Sequence, residues 1–253
     1  MKYDVKQCKI LRKREIAKGI FDVTVHSPEF AQAAQAGQFA HIYVPGKTLR
    51  RPISICGIDR EKETLRFVYQ IRGEGTQILA EQNEGDDLDI LAPLGNGFQL
   101  GDPSRKAVLV GGGIGVPPLL GVAAAYGHNA TAVLGFRSKD AVILQDDFAA
   151  LGCAVRIATD DGTAGHHGVV TDCLQDLDFS VIYACGPMPM LKAVCRVARE
   201  RGVECQISLE ERMACGIGAC LGCACKLHRD GKEFYGHVCK DGPVFPYQEV
   251  CLE

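Results

Sequence analysis

The sequence predicts a multi-domain β plus α/β chain: an N-terminal antiparallel β-barrel over residues 1–101, a parallel α/β domain over 102–209, and a small C-terminal domain over 210–253. Three observations predict it. Short apolar runs broken by Gly, Pro and Asp-rich turns fill the first hundred residues, strand and helix patterns alternate from Lys106, and cysteine and glycine crowd the end. At 253 residues, 47% hydrophobic and 23% charged, the chain has room for this division and excludes wholesale disorder.

Barrel strands are expected at Phe21–His26, Gln38–Val44, Ile53–Ile58, Leu65–Ile71 and Leu88–Leu91, with a short helix, Gly75–Glu81, between the fourth and fifth. Before them, MKYDVKQCKILRKREIAKG alternates charged and apolar residues without a continuous apolar stretch, so no secretory signal is expected and the protein is placed in the cytoplasm. Asp102-Pro103-Ser104 reads as a linker. Beyond it, apolar runs at Ala107–Val110, Ala132–Leu134, Val155–Ala158 and Val181–Ala184 alternate with helical stretches, the signature of a parallel sheet. The best helix is Pro189–Glu200, with Pro189 suited to the first turn and Gly202 to the stop. After about Leu209 there is little room for helix or core.

Ala107 to Gly127 carries no charge and is long enough to cross a bilayer. Six glycines and Pro117-Pro118 would break such a helix in its middle, so the stretch reads as strand, glycine loop and helix, and no membrane is expected. The net charge of −3, with no block of Lys or Arg, gives no electrostatic footprint for nucleic acid. Small molecules or proteins are the expected targets.

Seven of the thirteen cysteines fall in the last 49 residues. Without a secretory signal a disulfide framework is a poor reading, and a local metal or iron–sulfur centre a better one. Cys215, Cys220 and Cys223 form C-x4-C-x2-C, and Cys239 follows after fifteen residues, which is the plant-type [2Fe–2S] spacing. Small residues at Gly216, Gly218, Ala219 and Gly222 would let the backbone wrap a cluster. Structural zinc is the competing reading, but it prefers paired knuckles and the second is missing. Cys225, two residues past Cys223, reads as a buried spectator.

Val108 to Pro118 runs from strand towards helix through Gly111, Gly112, Gly113 and Gly115, offering free N–H groups and a positive helix end to a pyrophosphate. It departs from G-x-G-x-x-G, since Val116 or Pro118 occupies the third glycine position, and a tight turn without ligand stays open. A second turn, Cys185-Gly186-Pro187, would lie at the same carboxyl edge of the sheet, where open α/β sheets bind ligands. Together they suit a nicotinamide dinucleotide. A nicotinamide moves two electrons as hydride while one [2Fe–2S] cluster takes one, so a flavin is implied between them. The barrel would hold it at Arg50-Arg51-Pro52-Ile53-Ser54, where a guanidinium is available to a pyrophosphate.

The order Arg51-Pro52-Ile53-Ser54, Gly73-Glu74-Gly75-Thr76, Gly111-Gly112-Gly113-Ile114-Gly115 and Cys185-Gly186-Pro187 resembles the ferredoxin–NADP reductase superfamily. With the tail Cys215, Cys220, Cys223 and Cys239, the whole chain resembles the electron-transfer subunits of NAD-dependent (type 1B) dihydroorotate dehydrogenases. The resemblance implies that Arg51, Pro52, Ile53 and Ser54 bind FAD, that Val68, Tyr69 and Gln70 line the flavin, that Gly75 and Thr76 hold its phosphates, and that the four cysteines carry the cluster. It also implies NAD as the nucleotide. The partner would be an FMN-containing catalytic subunit, two of each chain forming a heterotetramer that serves pyrimidine biosynthesis.

Two other readings stand beside this one. The flavin subunit of another NAD(P)H-linked complex, a sulfide dehydrogenase or a ferredoxin-dependent transhydrogenase, resembles the chain in all three parts, although four cysteine ligands in place of an aspartate substitution favour the dihydroorotate system. A non-enzymatic zinc-binding interaction module would leave the glycine loop empty. No G-x-S-x-G elbow appears, and no proton-transfer residue is nominated because hydride transfer needs positioning above all. Arg137-Ser138-Lys139 could meet an adenosine ribose or a 2′-phosphate or simply be solvated, which leaves NAD against NADP open on residue chemistry. His166-His167 reads as an exposed turn with no acidic or cysteine partner at ligand spacing.

Overall fold

The computed structural model describes residues 3–252, so the expected domain limits at residues 1 and 253 lie outside it. Six strands close an antiparallel barrel: β1 (Asp4–Ala17), β2 (Ile20–His26), β3 (Phe39–Ile42), β4 (Arg51–Asp59), β5 (Thr64–Gln70) and β6 (Asp87–Leu94), in the order β1-β2-β5-β4-β3-β6. Helices α1 (Pro28–Ala33) and α2 (Glu74–Glu81) cap its connections. Five strands were expected here, and β1 is the addition. Its fourteen residues bury fully only Cys8 and Ile10, so the lysine-rich remainder carries too weak an alternation to read as a strand.

Side-chain alternation decides what the barrel shows to its surroundings. On β3, Ala40 and Ile42 turn into the barrel core beside Ile55, Phe67 and Ile90. Phe39 turns the other way and joins a core shared with Cys223, Val238 and Cys239.

The second sheet has seven strands in the order β10-β9-β8-β7-β11-β12-β15, built from β7 (Ala107–Gly112), β8 (Ala130–Phe136), β9 (Ala154–Thr159), β10 (His166–His167), β11 (Val181–Cys185), β12 (Glu204–Ser208) and β15 (Val244–Pro246). Its helices are α3 (Leu120–Tyr126), α4 (Gln145–Ala150) and α5 (Met188–Arg201). All neighbours run parallel except β12 and β15. Sequence reading missed β12, and β15 comes from the cysteine-rich tail, so the expected limit at residue 209/210 runs through one continuous sheet. Between them, β13 (Ala224–Arg229) and β14 (Lys232–His237) form a hairpin. The tail thus has the core it was expected to lack: Leu227 and Val238 are buried with Ile207 and Phe245.

The glycine loop also differs from expectation. Two 3-10 turns, Gly113–Gly115 and Pro117–Leu119, follow β7, and the α-helix begins only at Leu120. Pro117 and Pro118 lack N–H groups and cannot supply the early helical bonds. Helix α5 follows its expected pattern, with Pro189 in the first turn and Gly202 closing it at φ 64°. No helix among the described residues is long and apolar enough to cross a membrane.

A buried ion cluster ties the barrel to the α/β layer. Asp22 on β2 is wholly buried and accepts hydrogen bonds from Arg66 (Nε 2.8 Å, Nη2 3.1 Å) and Arg14 (2.9 Å), while Arg66 also pairs with Asp147 on α4. Burial pushes the Asp22 carboxyl up, but the bonds from Arg66 and Arg14 outweigh it and leave the group below the ordinary carboxylate range. Asp22→Ala should therefore cost about 3–5 kcal/mol in urea unfolding, because Arg14 and the nearby Arg12 lose their partner and Arg66 keeps only Asp147. The stabilisation is fully present above the unfolded value near pH ~3.9 and is lost as pH falls through the lower folded value. Acid unfolding followed by circular dichroism should accordingly be less steep in Asp22→Asn.

Candidate functional site

The cysteine loop lies between β12 and β13, with positive φ at Gly216 (72°), Gly218 (83°) and Leu221 (60°). A Cβ on Gly216 would fall 2.7 Å from His41 Nδ1, and one on Gly218 would fall 2.6 Å from Lys240 Cδ. The loop therefore needs its glycines for close approach as well as for backbone shape. The Cys220 thiol bears on Cys215, and the Cys223 thiol on Cys239. Among the described residues no three His, Cys, Asp or Glu side chains are placed to hold one metal ion. Four thiols are what the two irons of one [2Fe–2S] cluster would take.

Backbone amides already point at these sulfurs. Gly218 N–H donates to Cys239 Sγ (3.1 Å), Ala219 N–H to Cys215 Sγ (3.2 Å) and Cys239 N–H to Cys223 Sγ (3.4 Å). Burial pushes the Cys215 thiol up, but the amides of Ile217, Ala219 and Cys220 and the Cys220 thiol override it and bring it down to about 6. That favours the thiolate, the form that ligates metal. On the chemistry of the four thiols and the direction of the loop amides, the residues present fit a [2Fe–2S] cluster. Burial pushes the Cys239 and Cys225 thiols up, to about 12 and about 11, so it is the spacing that sets Cys225, on β13, apart from the four.

A cavity of about 240 Å³ opens beside this loop. It gathers Arg51, Pro52, Ile53 and Ser54 from β4, Val68, Tyr69 and Gln70 from β5, and Thr76 from α2. Gly75 does not line it but lies directly beneath the Arg51 guanidinium, where any Cβ would collide. Thr76 Oγ1 accepts the N–H of Arg72 (2.8 Å) and of Gly73 (3.3 Å), which fixes the turn entering α2. Sequence reasoning missed Phe39, Arg72, Ile114, Ser208, Glu210 and Met213 in this wall. They come from four separate segments, Ser208, Glu210 and Met213 sharing one, and only Ile114 belongs to a motif read from the sequence. The grouping of a guanidinium, small N–H donors and an apolar face fits a flavin nucleotide.

A second cleft of about 910 Å³ is lined by Gly112, Gly113, Gly115, Gly186 and Pro187, together with Arg137. It lies at the carboxyl ends of β7 and β11, where the strand order reverses direction. The two turns touch: a Cβ on Gly115 would lie 2.5 Å from the Cys185 carbonyl oxygen. Gly111 is buried behind the cleft against Val116, and Ser138 and Lys139 are not in the lining. Cys185 faces the flavin cavity instead, its thiol pushed up to about 12 by burial, and so stays protonated at neutral pH. Gln70, Arg72, Ile114 and Glu210 line both spaces, which makes them one crevice.

His166 and His167 form an exposed edge strand where a turn was expected, and His166 Nε2 lies 3.0 Å from Asp172 Oδ2. The expectation that they lack an acidic partner is therefore corrected. Gly168 permits the approach, since a Cβ there would meet both side chains.

Comparison with known proteins agrees with this geometry. The iron–sulfur cluster binding domain of dihydroorotate dehydrogenase B matches residues 210–251. The dihydroorotate dehydrogenase B (NAD(+)) electron transfer subunit of Bacillus cereus (strain B4264) is 44% identical, over 96% of this chain and 97% of its own. Its counterpart in Bacillus anthracis (strain A0248) is 43% identical over the same shares. Among solved structures, an NADH-dependent reduced ferredoxin-NADP oxidoreductase studied for flavin-based electron bifurcation superposes with a TM-score of 0.85 at 33% identity, over 98% of this chain and 90% of that one. The Amycolatopsis cytochrome P450 reductase GcoB, at 22% identity and TM-score 0.67 over 79% of this chain and 66% of its own, shares the fold alone. With its barrel, its α/β sheet and its four-thiol tail in one order, the chain belongs to the family of electron transfer subunits of NAD-dependent dihydroorotate dehydrogenase B.

Proposed function

We propose that this chain links an FMN-containing catalytic subunit of dihydroorotate dehydrogenase to NAD⁺ through [2Fe–2S] and FAD, as two copies bound to two catalytic subunits in the cytoplasm. The observation that carries the reading is continuity: the glycine cleft opens into the barrel cavity, and Met213 lines that cavity two residues before Cys215. When bound, FAD exchanges an electron pair with the nicotinamide and single electrons with the cluster.

The side chains have separate tasks. Arg51, with the N–H groups around Gly75 and Thr76, would bind the FAD diphosphate. Pro52, Ile53, Ser54, Val68, Tyr69 and Gln70 would hold the ring against the barrel. Gly112, Gly113 and Gly115 with Gly186 and Pro187 would admit the NAD nicotinamide and pyrophosphate, Gly111 backing the turn from behind, while Cys215, Cys220, Cys223 and Cys239 would ligate the two irons. Cys185 is left as a protonated contact between ring and nucleotide, and positioning is the work of the site. Residues 1–101, 102–209 and 210–253 then act as the flavin, nucleotide and cluster parts, the last two sharing a sheet.

Exposure supports a docking face for the catalytic subunit beside the cysteine loop. Leu221, between two of the cysteines, is 65% exposed at φ 60°, and Tyr235 at the hairpin is 73% exposed. Apolar side chains held out beside the cluster loop suit a docking surface. Leu221→Asp should weaken the complex by about 10-fold or more, the loss expected for one buried leucine, in sedimentation with the catalytic subunit. The cluster signal should be unaltered.

The testing experiment is an anaerobic visible spectrum before and after NADH, with iron and acid-labile sulfide determined on the same sample. Flavin and cluster bands that bleach with NADH, at about two irons per chain, are expected. A colourless protein carrying zinc would overturn the reading in favour of an interaction module.

A further inference from the structure

The outward face of β3 carries one residue that the fold does not explain. Phe39 and His41 alternate out of the barrel, and Phe39 enters the core beneath the cysteine loop. His41 lies beside it, ring edge to ring face at 6.1 Å, with no solvent exposure. Neither of its ring nitrogens has a hydrogen-bond partner among the described residues. A buried polar group without a partner costs stability, and an apolar side chain of similar size would avoid the cost. The other buried atoms in that condition are accounted for more simply. Asp89 Oδ1 stands 2.7 Å from Arg50, and the His237 ring is held through Nδ1 by Asp241 at 3.3 Å.

The position of His41 sets its ring against the cysteine loop. Its Nδ1 lies 2.7 Å and its Cε1 2.9 Å from where a Cβ would stand on Gly216, the residue after Cys215. Only glycine lets the imidazole close against the loop at that point. We propose that His41 donates an N–H hydrogen bond from the barrel to the sulfurs of the cluster on the Cys215 side, and so raises the potential of the cluster. The physical basis is general: a donor to a cluster sulfur stabilises the more negative, reduced state. The inference rests on the [2Fe–2S] reading given above.

The test uses the reconstituted holoprotein and reads potentials rather than turnover. In His41→Phe, which keeps ring volume without a donor, an EPR-monitored titration should show the reduction equilibrium of the cluster weakened about tenfold, equivalent to about 59 mV for one electron. The flavin potential should stay where it was. His41→Gln, which restores an N–H, should recover part of the shift. An unchanged cluster potential in His41→Phe at unchanged iron content overturns the proposal, as does a shift confined to the flavin. Should His41→Phe fail to load, the wild-type protein labelled with ¹⁵N only in histidine decides. A ¹⁵N coupling on the reduced cluster that survives in His237→Gln supports the bond, and a coupling that is absent, or lost in that variant, overturns it. A wild-type protein with no [2Fe–2S] signal at all would instead sink the underlying reading.

Discussion

Replacing Cys220 by alanine is expected to give a yellow protein that keeps its flavin but loses the cluster bands, the EPR signal and the bound iron. Transfer to the catalytic subunit should fall by more than about 100-fold, the upper end of what loss of a mere outer-shell partner costs a metal site. NADH oxidation by an artificial acceptor that draws from the flavin should largely survive. The separation is sharp because of where Cys220 sits. Its side chain is exposed, so truncation opens no cavity in the core, whereas Cys223 and Cys239 are buried and their removal would also loosen packing. Cys220 is one of the four proposed ligands, so its loss would leave one iron a ligand short. The neighbouring Cys225→Ala is the control and should keep its iron, since that thiol lies outside the C-x4-C-x2-C and Cys239 spacing. Full coupled activity in Cys220→Ala would show that Cys220 is not a ligand.

The cluster loop was legible because its information is local: four cysteines at fixed spacing, with small residues between them, carry chemistry that needs no tertiary knowledge. The flavin and nucleotide motifs were legible for a similar reason, since the turns that form them each lie within a few residues. What was not legible is longer in range. Strand β1 is held in the barrel by pairing with β2 and β6 rather than by an apolar stripe of its own. Strand β15 completes a sheet begun more than a hundred residues earlier, which no composition shift at Leu209 could disclose. His41 and Gly216 meet although they are 175 positions apart in the sequence. Likewise the wall that joins both cavities, Arg72, Ile114 and Glu210, exists only after the barrel and sheet have docked. The glycine loop shows the opposite failure, in which a local signal was read too generously: Pro117 and Pro118 were seen as breaking a membrane helix, yet they also delay the soluble one.

The second large effect is expected from Arg51→Ala, which should purify with most of its FAD missing and bind added FAD at least about 100-fold more weakly, as the loss of two hydrogen bonds to a charged group implies. The guanidinium has little to do in the fold. It donates to the carbonyl oxygens of Leu49 (2.7 Å) and Arg50 (3.3 Å), on its own segment, and otherwise lies over Gly75 at the mouth of the flavin cavity. Its removal should therefore leave thermal stability of the flavin-free protein nearly unaltered, while Asp22→Ala, with its carboxylate buried among arginines, should do the reverse. Arg51→Lys separates charge from shape. An ammonium restores the charge but not the planar fork, so recovery should be partial if the guanidinium grips a diphosphate in two places. Gly75→Ala bears on the same contact from below, since its Cβ would meet the guanidinium and push it out of position. If Arg51→Ala kept its full complement of FAD through gel filtration, the diphosphate would have to be held elsewhere, and the backbone N–H groups of the turn entering α2 would become the first place to look.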